Sequence, residues 1–122
     1  MPFAVSDAVS QVLASALDGV TERQQVIADN IANVDTPGFR ASSVDFETQL
    51  KSAISDGSFD AGTPVDTGAT TTPTDTPVGA NGNNVDLRKE TMAAIQSQFQ
   101  YQVLTRAVSD RFNLVKTAVT GA

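Results

Sequence analysis

The sequence predicts a mainly α-helical fold in which two long helices, one at each end of the chain, pair antiparallel as a coiled-coil-like hairpin. Apolar residues recur at helical spacing at both ends, and a Pro-Gly pair interrupts the first of these patterns. The middle of the chain is instead rich in Gly, Thr, Pro, Asp and Asn, which is typical of a linker. These changes divide the chain into residues 1–56 (N-terminal helix, turn and short helix), 57–84 (an extended or irregular linker or loop) and 85–122 (C-terminal helix).

The first helix is expected to begin after Ser6, which can cap it, and to run to about Val34. Its apolar positions keep the three-and-four spacing of a coiled-coil seam, with Gln24 in the one missing place. These positions are Val9, Leu13, Ala16, Val20, Ile27, Ile31 and Val34. Gly19 lies inside the pattern and costs about 1 kcal/mol relative to alanine. It either loosens the helix or lets a neighbouring backbone approach closely, and we favour loosening.

A turn is predicted directly after this helix. Pro37 cannot continue a helix, and Pro37-Gly38 fits the central positions of a type II turn because glycine accepts the positive φ that follows proline. Asn30 and Asn33 place amide groups among the last apolar positions of the helix. Capping of the helix end and a specific hydrogen bond between subunits both remain open for these two side chains.

A short helix is expected after the turn. Asp45 can cap this helix and Gly57 can end it. Glu47 is expected to pair with Lys51, because the two side chains lie four residues apart. One face of the helix is apolar and consists of Phe46, Leu50 and Ile54.

The linker that follows has several threonines, which could support β-structure. Pro64, Pro73 and Pro77 break any run long enough for a central strand. A short hairpin or an extended crossing therefore remains open for residues 57–84.

The second long helix is expected to start at Asn84 or Asp86 and to run through Val119 before Gly121. Its apolar residues form two stripes displaced around the axis: Met92, Ile95, Phe99 and Val103, then Leu104, Val108, Phe112, Val115 and Val119. An apolar face this broad indicates contact with more than one helix, so lateral packing between subunits is expected to cover part of it. The helix-packing candidates are Leu13, Val20, Ile27, Met92, Ile95, Phe99, Leu104, Val108, Phe112 and Val115.

Composition argues against several classes of function. The formal net charge is −6, and the 8 Lys and Arg residues are scattered without the basic stripe that a nucleic-acid partner requires. The chain has no cysteine for disulfides or thiolate metal sites, and no histidine, the usual general base and commonest metal ligand. We therefore expect no catalytic residue, metal, cofactor, nucleic acid or small-molecule substrate.

The N-terminal residues lack the positive region and long apolar run of a cleavable secretory signal, and no stretch approaches the roughly 18 apolar residues of a membrane span. Composition by itself would predict a cytoplasmic protein.

The strongest enzyme-like string is Asp66-Thr67-Gly68, which matches the Asp-Thr-Gly of small dimeric aspartic proteases. Two such carboxylates sharing one proton would supply the general acid and base. That chemistry requires apolar strands in an all-β fold, whereas this string lies in a Thr/Pro/Gly segment between helical ends. A protease is therefore a remote alternative.

Several motifs resemble one group of proteins. The stretch from Ala28 to Phe39, ADNIANVDTPGF, resembles the N-terminal signature shared by bacterial flagellar rod and hook proteins. The later strings VDF at 44–46, GNNVDLRKE at 82–90, YQVL at 101–104 and LVKTAV at 114–119 resemble the FlgB family of proximal rod proteins. These matches occur at both ends of the chain in the right order.

The resemblance implies a structural subunit that assembles with other rod proteins into a torque-transmitting tube with a central export channel. The implied partners are copies of itself, other flagellar rod proteins, membrane-ring or rod-adaptor components, and the flagellar type III export apparatus. The implied location is the rod of the flagellar basal body, reached across the inner membrane without a cleavable signal peptide. Another flagellar axial protein of the rod or hook type, and more distantly a cytoplasmic helical-hairpin adaptor, are the alternatives.

The resemblance also assigns a set of residues to assembly or to the fold. These signature residues are Asn30, Ile31, Ala32, Asn33, Thr36, Pro37, Gly38 and Phe39 in the first segment and Asn84, Val85, Asp86 and Leu87 in the second.

Overall fold

The fold is mainly helical, as predicted, and has two long helices, a short helix and a two-stranded sheet. A computed structural model describes residues 2–61 and 69–121, with side chains described for residues 8–59 and 69–121. The elements in order are α1 (Pro2–Ala32), β1 (Ser42–Asp45), α2 (Glu47–Ser55), a 3₁₀ helix (Ser58–Ala61), β2 (Thr70–Pro73) and α3 (Leu87–Thr120). The string Asp66-Thr67-Gly68 lies outside the described residues.

The helix α1 begins earlier and ends slightly earlier than predicted. It starts at Pro2, so Ser6 lies within the helix and does not cap it; proline is well tolerated in a first helical turn because no intrahelical partner is needed for its missing N–H. At the other end, the N–H of Asn33 donates to the carbonyl oxygens of Asp29 and Asn30 at 3.1 and 3.2 Å, which tightens the last turn.

The Pro37-Gly38 turn is confirmed. The N–H of Phe39 donates to the carbonyl of Thr36 at 3.2 Å, and Gly38 has a φ of 75°. This combination is the hydrogen bond and the positive φ that a type II turn requires.

The helix α2 is capped as predicted, but its contacts differ from the prediction. An Asp45 carboxylate oxygen accepts a hydrogen bond from the N–H of Thr48 at 3.2 Å, and Gly57 follows the helix with a φ of 75°. Phe46 is buried whereas Ile54 is exposed, so the predicted common apolar face is wrong. Glu47 forms an ion pair with Arg23 instead of the predicted pair with Lys51, because α1 brings the guanidinium beside the start of α2.

The strands β1 and β2 pair antiparallel, with Ser42 opposite Pro73 and Asp45 opposite Thr70. Part of the linker is therefore an extended crossing that runs back along β1. Two strands alone are marginally stable in water, and β1 is supported on its other side by α1, as described below. Pro73 ends β2, and the next residue, Thr74, donates its N–H to the carbonyl of Ala41 at 3.0 Å.

The helix α3 is bounded by the residues that its sequence indicates. Asp86 is the N-cap, with a carboxylate oxygen that accepts from the N–H of Lys89 at 3.2 Å. Gly121 ends the helix in the left-handed conformation and donates its N–H to the carbonyl of Thr117 at 2.8 Å. Of the two predicted caps, Asp86 rather than Asn84 fills the position.

The long helices α1 and α3 pack in opposite directions. Residues 10–17 of α1 lie beside residues 108–115 of α3, and residues 16–20 lie beside residues 99–104. The central core consists of Ala16, Val20, Val44 and Phe46. It lies at the middle of α1, where β1 and the start of α2 fold against the helix pair.

Gly19 allows a close approach to α1, and the interpretation that it loosens the helix is wrong. A Cβ atom at this position would lie 2.3 Å from Cγ of Phe46 and within 2.7 Å of both Cδ atoms of the ring. The neighbour that approaches is therefore an aromatic ring and not a backbone. Glycine is required here because the Phe46 ring occupies the volume that any side chain would need.

We predict that Gly19→Ala destabilises the fold, although alanine is the better helix former. Alanine gains about 1 kcal/mol in helix propensity. Forcing a methyl group into an occupied site costs about 1 to 3 kcal/mol. We expect a cost near the upper end of that range, because the methyl group must displace an aromatic ring. Urea denaturation followed by circular dichroism measures the change. In a Phe46→Leu background the same substitution should be neutral or stabilising, and equal destabilisation in both backgrounds would contradict the proposed clash.

We also predict that the start of α2 depends on pH through Asp45. Hydrogen bonds from the backbone and side chain of Thr48 hold the pKa of the Asp45 carboxyl below its ordinary value of 3.8. A lowered folded-state pKa means that the ionised carboxylate stabilises the fold above the unfolded value, and that this contribution is lost as the pH falls through the folded value. Exchange of the Thr48 amide proton should therefore accelerate as the pH falls below 3.8, relative to its intrinsic rate.

The matched variants for this pH dependence are Asp45→Asn and Asp75→Asn. Asparagine at position 45 still accepts the hydrogen bond but does not titrate, so protection of the Thr48 amide should become independent of pH. Substitution of the exposed Asp75 should leave the wild-type profile unchanged. If the exchange of the Thr48 amide still depends on pH in Asp45→Asn, a group other than Asp45 causes that dependence.

Candidate assembly surface and the joint that supports it

Buried asparagine amides join the chain where the two signature segments meet. We call Asn30, Asn83 and Asn84 the amide joint. The Nδ2 of Asn30 donates to the carbonyl of Ser42 at 2.7 Å, and its Oδ1 accepts from the N–H of the same residue at 3.2 Å. A primary amide carries one acceptor and two donors, so it can satisfy both backbone groups of one residue at once. Asn30 therefore clamps the first residue of β1 to the last turn of α1.

Asn83 ties the second signature segment to the end of α1. Its Nδ2 donates to the carbonyls of Asn33 and Thr36, each at 2.8 Å. Its Oδ1 accepts from the N–H of Val85 at 2.7 Å. The side chain thus satisfies two carbonyls of the α1 turn and shapes the approach to α3.

Asn84 completes the connection on the other side of the turn. Its Oδ1 accepts from the N–H of Ala41 at 2.6 Å, and its own N–H donates to the carbonyl of Phe39 at 3.2 Å. Both Asn83 and Asn84 are buried. Buried amide groups are costly unless they are paired, so this set of hydrogen bonds strongly favours a single arrangement of the two segments.

Two glycine turns touch at the joint. The N–H of Gly38 donates to the carbonyl of Asn81 at 3.0 Å. Gly82 has a φ of 80°, and a Cβ atom there would lie 3.2 Å from the Cα of Gly38. Position 82 therefore needs glycine both for its positive φ and for the close approach of Gly38, whereas position 38 needs it for its positive φ alone.

The structure places the signature residues in three environments. Asn30 and Asn84 are buried within the joint. Partly buried positions around it are Ile31, Asn33, Phe39 and Val85. The exposed positions are Ala32, Thr36, Pro37, Gly38, Asp86 and Leu87. Asn33 also caps locally, since its Nδ2 donates to the carbonyl of Asp29 at 2.7 Å and its Oδ1 accepts from the Thr36 hydroxyl at 3.0 Å.

Arg23 is a structural residue that the sequence analysis missed. Its guanidinium donates to the carbonyl of Val44 at 2.7 Å and to Oε1 of Gln100 at 3.1 Å. The same group pairs with Glu47 and lies 4.7 Å from the centroid of the Phe46 ring. One side chain of α1 therefore contacts β1, α2 and α3. Its position between Val20 and Ile27, on the core-facing side of α1, is the signal that could have revealed it.

The predicted helix-packing residues separate into two groups. Val20 and Ile27 are buried, and Leu13, Leu104 and Val108 are partly buried in the α1–α3 contact. The exposed members are Met92, Ile95, Phe99, Phe112 and Val115. The first group supplies the buried packing between α1 and α3, and the exposed members lie at the edges of this contact or outside it.

An apolar row runs along α3. We call Met92, Ile95, Phe99 and Val103 the α3 row; these side chains are between 50% and 66% exposed. Phe99 and Val103 also border an apolar groove of about 280 Å³, which is lined on the side of the core by Val20 and Phe46. Large contiguous apolar patches on a protein surface mark interaction sites. The α3 row is accordingly the candidate assembly surface.

A second apolar groove lies between the start of α1 and the end of α3. Its volume is about 230 Å³. The apolar side chains that line it include Leu13, Leu17, Val108, Phe112 and Val115. Within the described part of the chain no helix is long and apolar enough to cross a membrane, and no cluster of His, Cys, Asp or Glu has the arrangement of a metal site.

We predict that Asn30→Asp destabilises the fold by about 1 to 3 kcal/mol, because a carboxylate cannot donate to the carbonyl of Ser42 and would be buried with its charge. The matched control is Asn113→Asp on the exposed surface of α3, which should change stability by less than about 0.5 kcal/mol. The midpoints of urea unfolding provide the comparison. Equal urea midpoints for the two variants would show that the hydrogen bonds of Asn30 do not contribute to stability.

Comparison with known proteins agrees with this geometry. The family model described as "Flagella basal body rod protein" matches residues 11–40, the α1 segment that leads into the joint and its turn. The flagellar basal body rod protein FlgB of Bacillus subtilis is 34% identical over 119 residues, covering 91% of this chain and 92% of that protein. FlgB of Escherichia coli is 32% identical over 120 residues, covering 84% of this chain and 86% of that protein.

FlgB of Borreliella burgdorferi is 31% identical over 123 residues, covering 81% of this chain and 86% of that protein. These matches extend over both long helices and the joint between them, and nearly the whole length of each relative is represented. The chain therefore belongs to the FlgB family of flagellar basal body rod proteins.

Proposed function

We propose that this structural rod subunit assembles through the α3 row into a stiff tube that transmits torque and leaves a central export channel open. The observation that carries the proposal is a row of large apolar side chains, at least half exposed, on a helix whose other side is already packed. Such a row is unfavourable in a monomer in water. Packing against neighbouring subunits removes it from water and supplies the energy of assembly.

The stiffness that torque requires is supported by the contacts within the subunit. The amide joint fixes the end of α1 to the start of α3 through Asn83 and Asn84. Arg23 ties the middle of α1 to Gln100 of α3 and to Val44 of β1. Two helices fixed at their joint and again along their length resist sliding past each other, because close-packed interiors deform little.

We further propose the partners and the route of this subunit. Copies of the same chain, other rod proteins, and membrane-ring or rod-adaptor components would contact its surfaces. The flagellar type III export apparatus would carry it across the inner membrane without cleavage of a signal peptide. Membership of a structural rod family supports a role without a covalent step, and we propose no catalytic activity, cofactor, nucleic acid or small-molecule substrate.

The exposed part of the signature suits a contact role. Thr36, Pro37 and Gly38 form a turn that protrudes from the joint, and Asp86 and Leu87 lie exposed at the start of α3. We propose that these residues meet a neighbouring subunit, while the buried asparagines hold the turn in the shape that the neighbour recognises.

The prediction that tests this function uses Phe99→Asp, which places a charge in the centre of the α3 row. In the bacterium that carries the gene, the variant should be produced but should not restore swimming to a deletion strain, because burying an unpaired carboxylate against a neighbour is strongly unfavourable. Electron microscopy of isolated basal bodies should show no rod. Ile54→Asp is the matched control, since Ile54 is an exposed apolar residue of α2 outside the row, and this variant should swim.

Two results would contradict the proposal. A deletion strain that still builds complete rods would show that the chain is not a rod subunit. Normal rods that contain Phe99→Asp would show that the α3 row is not the assembly surface.

A further inference from the structure

The exposed charges of the two long helices differ in sign. Among the described side chains of α1, the exposed acids are Asp18, Glu22 and Asp29. Arg23 of the same helix is already paired with Glu47. On α3 the exposed bases are Arg88, Lys89, Arg106 and Lys116, with Asp110 as the exposed acid. The ion pair found among the described residues is Arg23–Glu47. The exposed charges of the two helices therefore have no ionic partner within the described part of the chain.

Two of these bases bracket the α3 row. The positions Arg88, Met92, Ile95, Phe99, Val103 and Arg106 follow one another in steps of three and four residues, so they lie along one side of the helix. At a rise of 1.5 Å per residue, Arg88 and Arg106 are separated by roughly 27 Å. The row is thus a strip of large apolar side chains with a positive charge at each end.

An exposed row of mostly small side chains, with aspartates in place of arginines, runs along α1. Its positions follow the same steps of three and four residues and are Ala14, Asp18, Thr21, Gln25, Ala28, Ala32 and Asp35. We call these residues the α1 row. All of them are exposed, and Asp35 lies in the turn directly after the helix. Within the helix, Asp18 and Ala32 are roughly 21 Å apart at helical rise, and Asp35 follows in the turn. The side chains between Asp18 and Asp35 are mostly small.

We propose that the occupant of the α3 row is the α1 row of a second copy of this chain, packed antiparallel. This pairing sets Arg106 opposite Asp18. Arg88 then lies roughly 6 Å beyond the position opposite Ala32, beside the turn that contains Asp35. In the same register Phe99 lies over Gln25 and Met92 over Ala32, so large side chains meet small ones. This inference rests on the proposed function and adds the face and register of the neighbour.

Charge also excludes the pairing of identical faces. An α3 row against another α3 row would place arginines opposite arginines, and two α1 rows would place aspartates opposite aspartates. Both arrangements are strongly unfavourable in a desolvated contact. Contact between two different faces leaves one free face of each kind at the ends of any open oligomer. Repetition of such a contact builds rings or open helical tubes rather than closed dimers.

A charge-swap series on the full-length chain tests the pairing. Arg106→Glu or Asp18→Arg alone should weaken self-association of the purified chain, measured by sedimentation at low salt, by about tenfold. The double variant Asp18→Arg with Arg106→Glu should restore it, since every contact then regains one opposite-charge pair. Lys51→Glu on α2 is the control for a change of charge and should have no such effect. Circular dichroism of each variant checks that the fold is retained.

Cysteine cross-linking in flagellated cells tests the register directly, because the chain has no native cysteine. A chain carrying both Thr21→Cys and Val103→Cys should give, on oxidation, a ladder of covalent multimers at integral multiples of the subunit mass. Each single-cysteine variant should remain monomeric, because its cysteine would face a residue without a thiol. Thr21→Cys combined with Lys51→Cys is the mispaired control and should give no ladder.

The outcomes separate this inference from the proposed function. Incorporation of the wild-type chain into basal bodies, together with a missing ladder and no rescue by the charge swap, would overturn the α1-to-α3 pairing and leave the rod subunit in place. Dimers from either single-cysteine variant would mean that identical faces meet, which also overturns the pairing. Absence of the wild-type chain from basal bodies would overturn both.

Discussion

The fold depends on one amide side chain that redirects the backbone after the first helix. Asn30 holds both backbone groups of Ser42, so the chain that leaves the Pro37-Gly38 turn must run back along α1. That direction places Val44 and Phe46 against Val20 and Gly19, where the central core forms. It also carries the carbonyl of Val44 to the guanidinium of Arg23. The clamp therefore helps to set the path of the chain that carries Val44 and Phe46 onto α1.

The same joint sets the relation between the two long helices. Asn83 and Asn84 bind the turn after α1 just before Asp86 caps α3, so the starting point of α3 is fixed to the end of α1. Helices have a constant rise and twist, and a fixed end therefore determines which residues face each other along the whole length. The positions of the apolar and charged rows on the outer surface follow from hydrogen bonds at one end of the hairpin.

The parts of the fold that could be predicted from the sequence are those decided by local chemistry. Pro37-Gly38, the Asp86 cap and the Gly121 terminus each follow from backbone preferences of the residues themselves. The missed features depend on contacts between distant segments. Local sequence predicts that Gly19 weakens the helix, but the Phe46 ring packs against it in the fold. Local sequence likewise pairs Glu47 with Lys51, but the fold brings Arg23 of α1 closer to Glu47. The α3 row was predicted only in part. The periodicity of the sequence identified its apolar side chains, but it did not show that they stay exposed while Val20 and Ile27 are buried within the chain.

The distribution of packing along the hairpin links folding to assembly. The core lies at the middle of α1, and the hydrogen-bonded joint links the end of α1 to the strand β1 and to the start of α3. Beyond Val108, most side chains of α3 are exposed, including Phe112, Leu114 and Val119. A helix with so few tertiary contacts gains little from its own propensity and opens at low free-energy cost. Neighbouring subunits that cover these side chains would stabilise the far end of the hairpin by mass action. In the proposed assembly, the joint would supply the folded centre, and neighbouring subunits would order the helices that extend from it.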